Sequence, residues 1–243
     1  MAFVFLFNIV QFRNTAWSQF YWSVLQFSTL QLNVLSIVSS LFGLVGMITY
    51  KRFMLEWSWR NVYWFLIGSS FFFFAMEFML IYRTNQQLGI PDYWFALGDN
   101  SYASFMGGIA FLPLFNMMVH LCPKGSEGVS YAIFTTMNNV SLDLSANLST
   151  TLLGIWDVSK EALEKGKISG FVKLTILCKC FQMSGALFIP LLPEYKRDLL
   201  MLQESGYSRR GGVMFLVVLG VSLLTSLTIA CLNILAPGWA GGS

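Results

Sequence analysis

Six ionisable side chains stand inside long apolar stretches of this 243-residue sequence: Arg13, Glu77, Asp99, Asp143, Lys173 and Lys179. A charge in apolar surroundings is costly, so each group should face a partner, a wet cavity or an interface. Asp143 and Lys179 lie near the middle of their stretches, too deep for either side chain to reach water easily. We expect them to meet, either as a substrate- or ion-binding pair or as a buried structural ion pair.

Asp143 belongs to a row of polar side chains with helical spacing. Its members recur every three or four residues, which places them on one face of a helix, and they are Thr136, Asn139, Asp143, Asn147 and Thr150. A second row of small residues, Ser141, Ser145 and Ser149, is typical of helix–helix packing. Two asparagines and an aspartate exceed what packing needs, so we predict that the first row lines a solute path.

The composition requires an apolar solvent for these helices. Hydrophobic residues make up 56% of the chain and charged residues only 11%, whereas soluble domains are about a quarter charged. A chain of this composition belongs in a lipid bilayer. The net charge of +3 and the lack of a basic run argue against nucleic acid as a partner.

Signals for enzymes, cofactors and metals are missing from the sequence. It has no phosphate-binding loop, dinucleotide fingerprint or nucleophile elbow. The one histidine, His120, cannot build a metal site or a catalytic triad alone, and the four cysteines form no C-x-x-C pair. We therefore predict a non-enzymatic protein without cofactor or metal.

Seven apolar segments are long enough to span a membrane, which predicts an all-α membrane protein. The segments are 3–25, 29–50, 61–82, 93–121, 128–154, 169–192 and 212–235. The first has a polar centre at Arg13, Asn14 and Thr15. It is either one span over 3–25, which we favour, or a short apolar segment over 3–12.

The distribution of basic residues predicts the orientation. Eight Lys and Arg residues fall on one side of the predicted spans and four on the other. The richer side should be cytoplasmic, which places the N-terminus and the linker 193–211 inside. The loop 156–168 should then form a short surface helix outside.

Two motifs in order resemble the folate–biopterin transporter family of the major facilitator superfamily. The first is Asp92-Tyr93-Trp94-Phe95-Ala96-Leu97-Gly98-Asp99, followed by Pro113. The second is the turn Cys122-Pro123-Lys124-Gly125-Ser126-Glu127-Gly128, followed by Ala132 and Asn139. Weaker similarity extends the resemblance over roughly residues 3–192.

This resemblance implies the C-terminal six-helix half of a major-facilitator-type transporter, over residues 1–192. The linker 193–211 and an extra transmembrane helix and tail at 212–243 would follow. Such transporters enclose their solute between two halves, so an N-terminal half is expected as partner. The sequence is then either a fragment, which we favour, or one of two chains that assemble. The family has a proline near Gln11 and a glycine near Ser141, both absent here, which leaves the substrate open.

Family members carry folates, pterins or related solutes, and the resemblance implies the same class here. Arg13 and Lys179 would suit folate carboxylates, while Asp143 and Asp99 would couple protons or hold the pterin amide edge. Asn139 and Asn147 complete the candidate site. Two alternatives remain: a transporter of another small organic solute, and a half-carrier that transports nothing and has a structural or regulatory role.

Overall fold

A computed structural model of the protein describes residues 2–122, 125–195, 198 and 209–236. Its regular structure is helical throughout these residues, with no strand among them. The α-helices are α1 (Ala2–Ile9), α2 (Trp17–Ser23), α3 (Thr29–Thr49), α4 (Trp59–Ile81), α5 (Thr84–Gln87), α6 (Asp92–Leu121), α7 (Glu127–Thr151), α8 (Lys160–Glu164), α9 (Ser169–Ser184) and α10 (Arg209–Leu235).

Three of these helices continue in a different helical form. A π-helical turn, Tyr50–Met54, extends α3. Short 3₁₀ segments, Leu152–Ile155 and Gly185–Leu191, extend α7 and α9. The second segment contains Pro190, which cannot donate a backbone hydrogen bond.

Five helical segments in the described part of the chain are long and apolar enough to cross a membrane. They are Thr29–Met54, Trp59–Ile81, Asp92–Leu121, Ser169–Leu191 and Arg210–Leu235. This confirms the prediction of an all-α membrane protein. The 25-residue α7 is also of membrane length but is more polar, because it carries the predicted polar row.

Capping residues mark the positions at which several of the helices begin. Ser28 and Gln31 form a reciprocal capping box at the start of α3, and the Ser58 hydroxyl accepts a hydrogen bond from the Asn61 backbone N–H at the start of α4. Such side chains satisfy backbone donors that have no partner within the first turn. The predicted surface helix in 156–168 is confirmed as α8, which Ser159 caps.

The closest helix pair is α3 with α6, which pack through glycines. A Cβ added to Gly46 would collide with the Phe105 carbonyl, and one added to Gly108 would collide with the Gly43 carbonyl. Small residues let two membrane helices bring their backbones together and gain dispersion contacts. These glycines therefore set the spacing between α3 and α6.

The connections between long helices lie at two ends of the bundle. At one end, the Arg60 guanidinium donates to the carbonyls of Leu192 and Pro190, at 2.7 and 3.2 Å, and joins the start of α4 to the segment after α9. At the other end, Arg83 contacts Asp92 at 3.9 Å and donates to the Val24 carbonyl. Most of the predicted linker 193–211 and the tail after residue 236 lie outside the described residues.

Candidate functional site

The first predicted span is not one continuous helix. The predicted span over 3–25 has a helix at each end and a non-helical middle, because α1 ends at Ile9 and α2 begins at Trp17. The polar residues Arg13, Asn14 and Thr15 fall in this interruption, which we call the break, residues 10–16.

Side chains of other helices replace the hydrogen bonds that a helix would make in the break. The Arg13 backbone N–H donates to the Ser149 hydroxyl of α7, at 3.1 Å, and Gln182 of α9 donates to the Phe12 carbonyl. Asn14 is buried, with its amide nitrogen 2.9 Å from the Thr175 hydroxyl of α9. In lipid, irregular backbone is tolerated only where protein or water satisfies it, so α7 and α9 make the break possible.

The break runs along α7 in the same direction as that helix. Asn8, near the end of α1, donates to the Asn138 side chain at 2.9 Å, and Arg13 reaches Ser149 eleven residues further along α7. At 1.5 Å per residue these partners are ~16 Å apart, a distance that five extended residues cover. Asp143 lies at the level of the break.

The two polar rows predicted on α7 lie on opposite sides of the helix. Ser141, Ser145 and Ser149 are buried, as the packing prediction requires. The solute-path row points away from that packed side: Thr136, Asn139 and Asp143 are exposed, and Asn147 and Thr150 are half-buried. The Arg13 side chain is exposed as well.

Lys179 does not pair with Asp143, contrary to the expectation from their depth. Its ammonium nitrogen lies 2.7 Å from a carboxylate oxygen of Glu77 on α4. The physical reason is the packing of α9 against α4, whereas Asp143 is on the exposed side of α7. Both partners of the ion pair are largely buried, with side-chain exposures of 14% and 15%.

Asp99 stands beside this ion pair. Its side chain is buried and interacts electrostatically with both Glu77 and Lys179. The next residue, Asn100, donates its amide to the Tyr21 hydroxyl of α2 at 2.9 Å. We call Glu77, Lys179, Asp99, Asn100 and Tyr21 the charged cluster; it joins α4, α9 and α6 to the second part of the broken helix.

The predicted site residues therefore divide into two groups. Asp143, Asn139, Asn147 and Arg13 present exposed or half-buried side chains along α7 and the break. In the charged cluster, Asp99 is buried and Lys179 is half-buried. Sequence reasoning gave no special role to Glu77 because it lies near a helix end. The polar centre Arg13-Asn14-Thr15, noted in the sequence, coincides with the break.

The family-motif turn begins α7 with a tight reversal. Gly125 has φ of +89°, a left-handed conformation that favours glycine, and its N–H donates to the Glu127 carboxylate at 2.9 Å. Hydrogen bonds from the backbone of Glu127 and Gly125 lower the pKa of the Glu127 carboxyl, which lies outside the apolar part of α7. Cys122 precedes the turn, while Pro123 and Lys124 lie outside the described residues.

Two of the cavities among the described residues are lined by none of the predicted site residues. One, of about 590 Å³, lies at the end of the bundle near Tyr50, Trp59 and His120. The other, of about 490 Å³, is an apolar space between α3 and α6 beside Trp94 and Tyr102. The polar row of α7 is therefore an open face of this chain.

Comparison with known proteins finds relatives that are named folate–biopterin or folate transporters. The chain is 30% identical to the "Folate-biopterin transporter" of Synechocystis sp. over 66% of this chain and 33% of that protein. It is 25% identical to "Probable folate-biopterin transporter 4" of Arabidopsis thaliana over 80% of this chain and 39% of that protein. With "Folate transporter 1" of Plasmodium falciparum it shares 20% identity over 76% of this chain and 36% of that protein.

The chain thus spans between 33% and 39% of the length of these relatives. No solved structure matches it significantly. The family model described as "BT1 family" matches residues 1–206. The resemblance found in the two motifs is therefore confirmed: the chain belongs to the BT1 family, the family of folate–biopterin transporters.

Proposed function

We propose that residues 1–192 form the C-terminal half of a secondary transporter that carries folate- or pterin-class solutes by alternating access. One observation carries this proposal: the row of polar side chains on α7 is left open by the packing of this chain, while the opposite face of α7 holds the break in the first span. Secondary transporters build their solute sites at the midplane from discontinuous helices, and they line those sites with polar groups. The names of the relatives supply the solute class.

The exposed groups suit a folate-like solute. Arg13, whose side chain is exposed in the break, would bind a carboxylate, because Lys179 is already engaged by Glu77. Asp143, Asn139 and Asn147 offer acceptors and donors for the amide edge of a pterin ring. Each of these contacts would be made on the side of α7 that its own packing leaves open.

A second half is the proposed partner. The exposed row of α7 would be expensive against hydrocarbon, since an Asp at the centre of a membrane helix costs about 2.5–3.5 kcal/mol. An N-terminal half facing this row would enclose a wet cavity instead. In this arrangement the N-terminus is cytoplasmic, 193–211 is a cytoplasmic linker and 212–243 adds a further membrane helix and tail.

The test is uptake of labelled folate and biopterin by cells that express the complete gene. Uptake should saturate and should be competed by excess unlabelled pterin. Asp143→Asn and Arg13→Gln should each lower uptake roughly tenfold or more at equal surface expression, as expected for the loss of about 1.4 kcal/mol of binding. Glu161→Gln, at an exposed acid of α8, is the matched control and should leave uptake unchanged.

The proposal would be contradicted if neither substitution lowered uptake, or if excess pterin did not reduce the uptake of the labelled solute. Competition by an unrelated organic anion with equal potency would indicate a different cargo on the same path. Absence of any uptake in the wild-type protein would favour a half-carrier without transport activity.

A further inference from the structure

The cavity of about 590 Å³ at the end of the bundle near Tyr50 has acidic walls. Glu56 and Glu194 line it, and no ion pair engages either carboxylate in the described part of the chain. A third acid, Asp198, is already engaged, because it accepts hydrogen bonds from the backbone N–H groups of Glu194 and Tyr195, at 3.1 and 2.9 Å. Glu56 and Glu194 are therefore the carboxylates that this cavity offers to a cation.

Aromatic rings form much of the remaining wall of this cavity. They belong to Tyr50, Trp57, Trp59 and Tyr195. Tyr50 begins the π-helical turn that ends α3, and such turns are frequent at functional sites. The face of an aromatic ring attracts a cation, so the rings and the carboxylates favour ligands of the same charge.

Backbone contacts hold the walls of the cavity together. The Trp59 N–H at the start of α4 donates to the Glu194 carbonyl at 3.2 Å, and the Arg60 guanidinium donates to the Leu192 carbonyl at 2.7 Å. Both contacts use main-chain acceptors, so they leave the Glu194 carboxylate available. They fix α4 against the segment after α9, which places Glu194 beside the aromatic wall.

The Tyr50 hydroxyl is a buried polar group at this cavity. Tyr50 is 1% exposed, and its Oη atom makes no hydrogen bond to a described residue. Leaving a buried hydroxyl unpaired is costly. A ligand that donates a hydrogen bond to Oη would remove this cost.

We propose that this cavity binds a primary ammonium group, which is carried by ethanolamine phospholipids and by small soluble amines. The ammonium would pair with Glu56 and Glu194, lie against the indole rings and donate a hydrogen bond to the Tyr50 Oη atom. A metal ion suits the cavity less well, since the described residues contain no group of three or more His, Cys, Asp or Glu side chains that could hold one. The site does not depend on the proposed transport of folates or pterins.

The position of the cavity agrees with a lipid headgroup as one source of the ammonium. It lies where the membrane-length segments Thr29–Met54 and Trp59–Ile81 meet. The exposed side chains of Leu55 and Trp57 form part of its wall, and tryptophan is enriched at the level of lipid headgroups. Its volume is within the range of about 300–1,000 Å³ that is usual for small-molecule sites.

Native mass spectrometry of the full chain in detergent tests the site by measuring lipid affinity. Phosphatidylethanolamine should bind at least roughly tenfold more tightly than phosphatidylglycerol, which has no ammonium. The double variant Glu56→Gln with Glu194→Gln should lose this preference. Glu161→Gln, at an exposed acid of α8, is the matched control and should keep it.

A second variant tests the hydrogen bond to the phenol. Tyr50→Phe removes only the hydroxyl and should weaken phosphatidylethanolamine binding roughly tenfold, as expected for the loss of one hydrogen bond to a charged group. Phosphatidylcholine has a quaternary ammonium that cannot donate, so its affinity should not change in Tyr50→Phe. Equal losses for both lipids would contradict a primary ammonium at Oη.

Excess soluble ethanolamine separates the two sources of the ammonium. Displacement of the lipid would show that the ammonium alone is sufficient, whereas retention of the lipid would assign the site to headgroups; both results agree with the proposal. Equal affinity for phosphatidylethanolamine and phosphatidylglycerol would overturn it, and so would a preference that survives the double glutamine variant. Glu56→Asp with Glu194→Asp keeps both charges and should keep the preference, which distinguishes loss of charge from loss of folding. No result of this assay depends on folate uptake, so either proposal can fail without the other.

Discussion

At the scale of single residues, burial decides what a charge does. Lys160 and Glu164 lie 3.8 Å apart on α8 with side-chain exposures of 61% and 50%, and such exposed pairs contribute about 0–1 kcal/mol. Lys179 and Glu77 form a shorter pair that is mostly hidden from solvent. A buried pair adds little compared with apolar side chains, but removing one partner leaves the other charge unpaired.

Lys179→Met should therefore lower the free energy of unfolding by about 3–5 kcal/mol, because the Glu77 carboxylate loses its paired cation. Chemical unfolding of the detergent-solubilised protein measures this change. Lys160→Met is the matched control and should cost at most about 1 kcal/mol. The double variant Lys179→Met with Glu77→Met should recover much of the lost stability. Equal losses for Lys179→Met and Lys160→Met would contradict a buried pair.

At the scale of elements, glycine spacing and side-chain hydrogen bonds shape the helices. Gly46 and Gly108 bring α3 and α6 into backbone contact, whereas Gly107, next to Gly108, has nothing within 4 Å of an added Cβ. The break shows the complementary device, in which Ser149, Thr175 and Gln182 supply hydrogen bonds from α7 and α9. The helix pair is fixed by close approach, and the break by polar contacts.

Gly108→Ala should separate α3 from α6, since the new methyl group would meet the Gly43 carbonyl and backbone atoms cannot move aside as a flexible side chain can. Overpacking of this kind costs about 1–3 kcal/mol. Gly107→Ala adds the same methyl group one residue earlier into open space. Thermal unfolding should show a lower midpoint for Gly108→Ala alone; equal midpoints would exclude tight packing at this crossing.

At the scale of the whole molecule, the loops are sorted to two ends. Glu56 lies between α3 and α4, at the end where Arg60 joins the segment after α9, whereas Lys165 follows α8 at the opposite end. α8 contacts α2 there, next to the loop that Arg83 reaches. The sorting of basic residues in the sequence predicts which end faces the cytoplasm.

Cysteine labelling of intact cells tests this orientation. In a cysteine-free background, Lys165→Cys should react with a membrane-impermeant maleimide from outside. Glu56→Cys should react only after the cells are permeabilised. The reversed pattern would invert the predicted orientation, and labelling of both positions from outside would contradict the sorting of loops.

Sequence alone predicts the long helices well because their signal is local. Apolar length predicts α3 at 29–50, and the observed helix is Thr29–Thr49. The helical spacing of polar residues also predicts correctly that the two rows of α7 face different surroundings. The hydrogen-bond partners of the break and the Glu77–Lys179 pair could not be predicted, because they depend on contacts between distant residues; Arg13 and Ser149 are 136 positions apart.

The break also has a consequence for the order in which the chain is completed during synthesis. Residues 10–16 leave the ribosome before α7 and α9, but Ser149 and Gln182 satisfy their backbone and Thr175 accepts from the Asn14 side chain. In lipid, unsatisfied backbone is expensive. Residues 10–16 must therefore stay helical or near the membrane surface until α7 and α9 have been inserted. The break thus reaches its final conformation only after helices that follow it by more than 130 residues have been made.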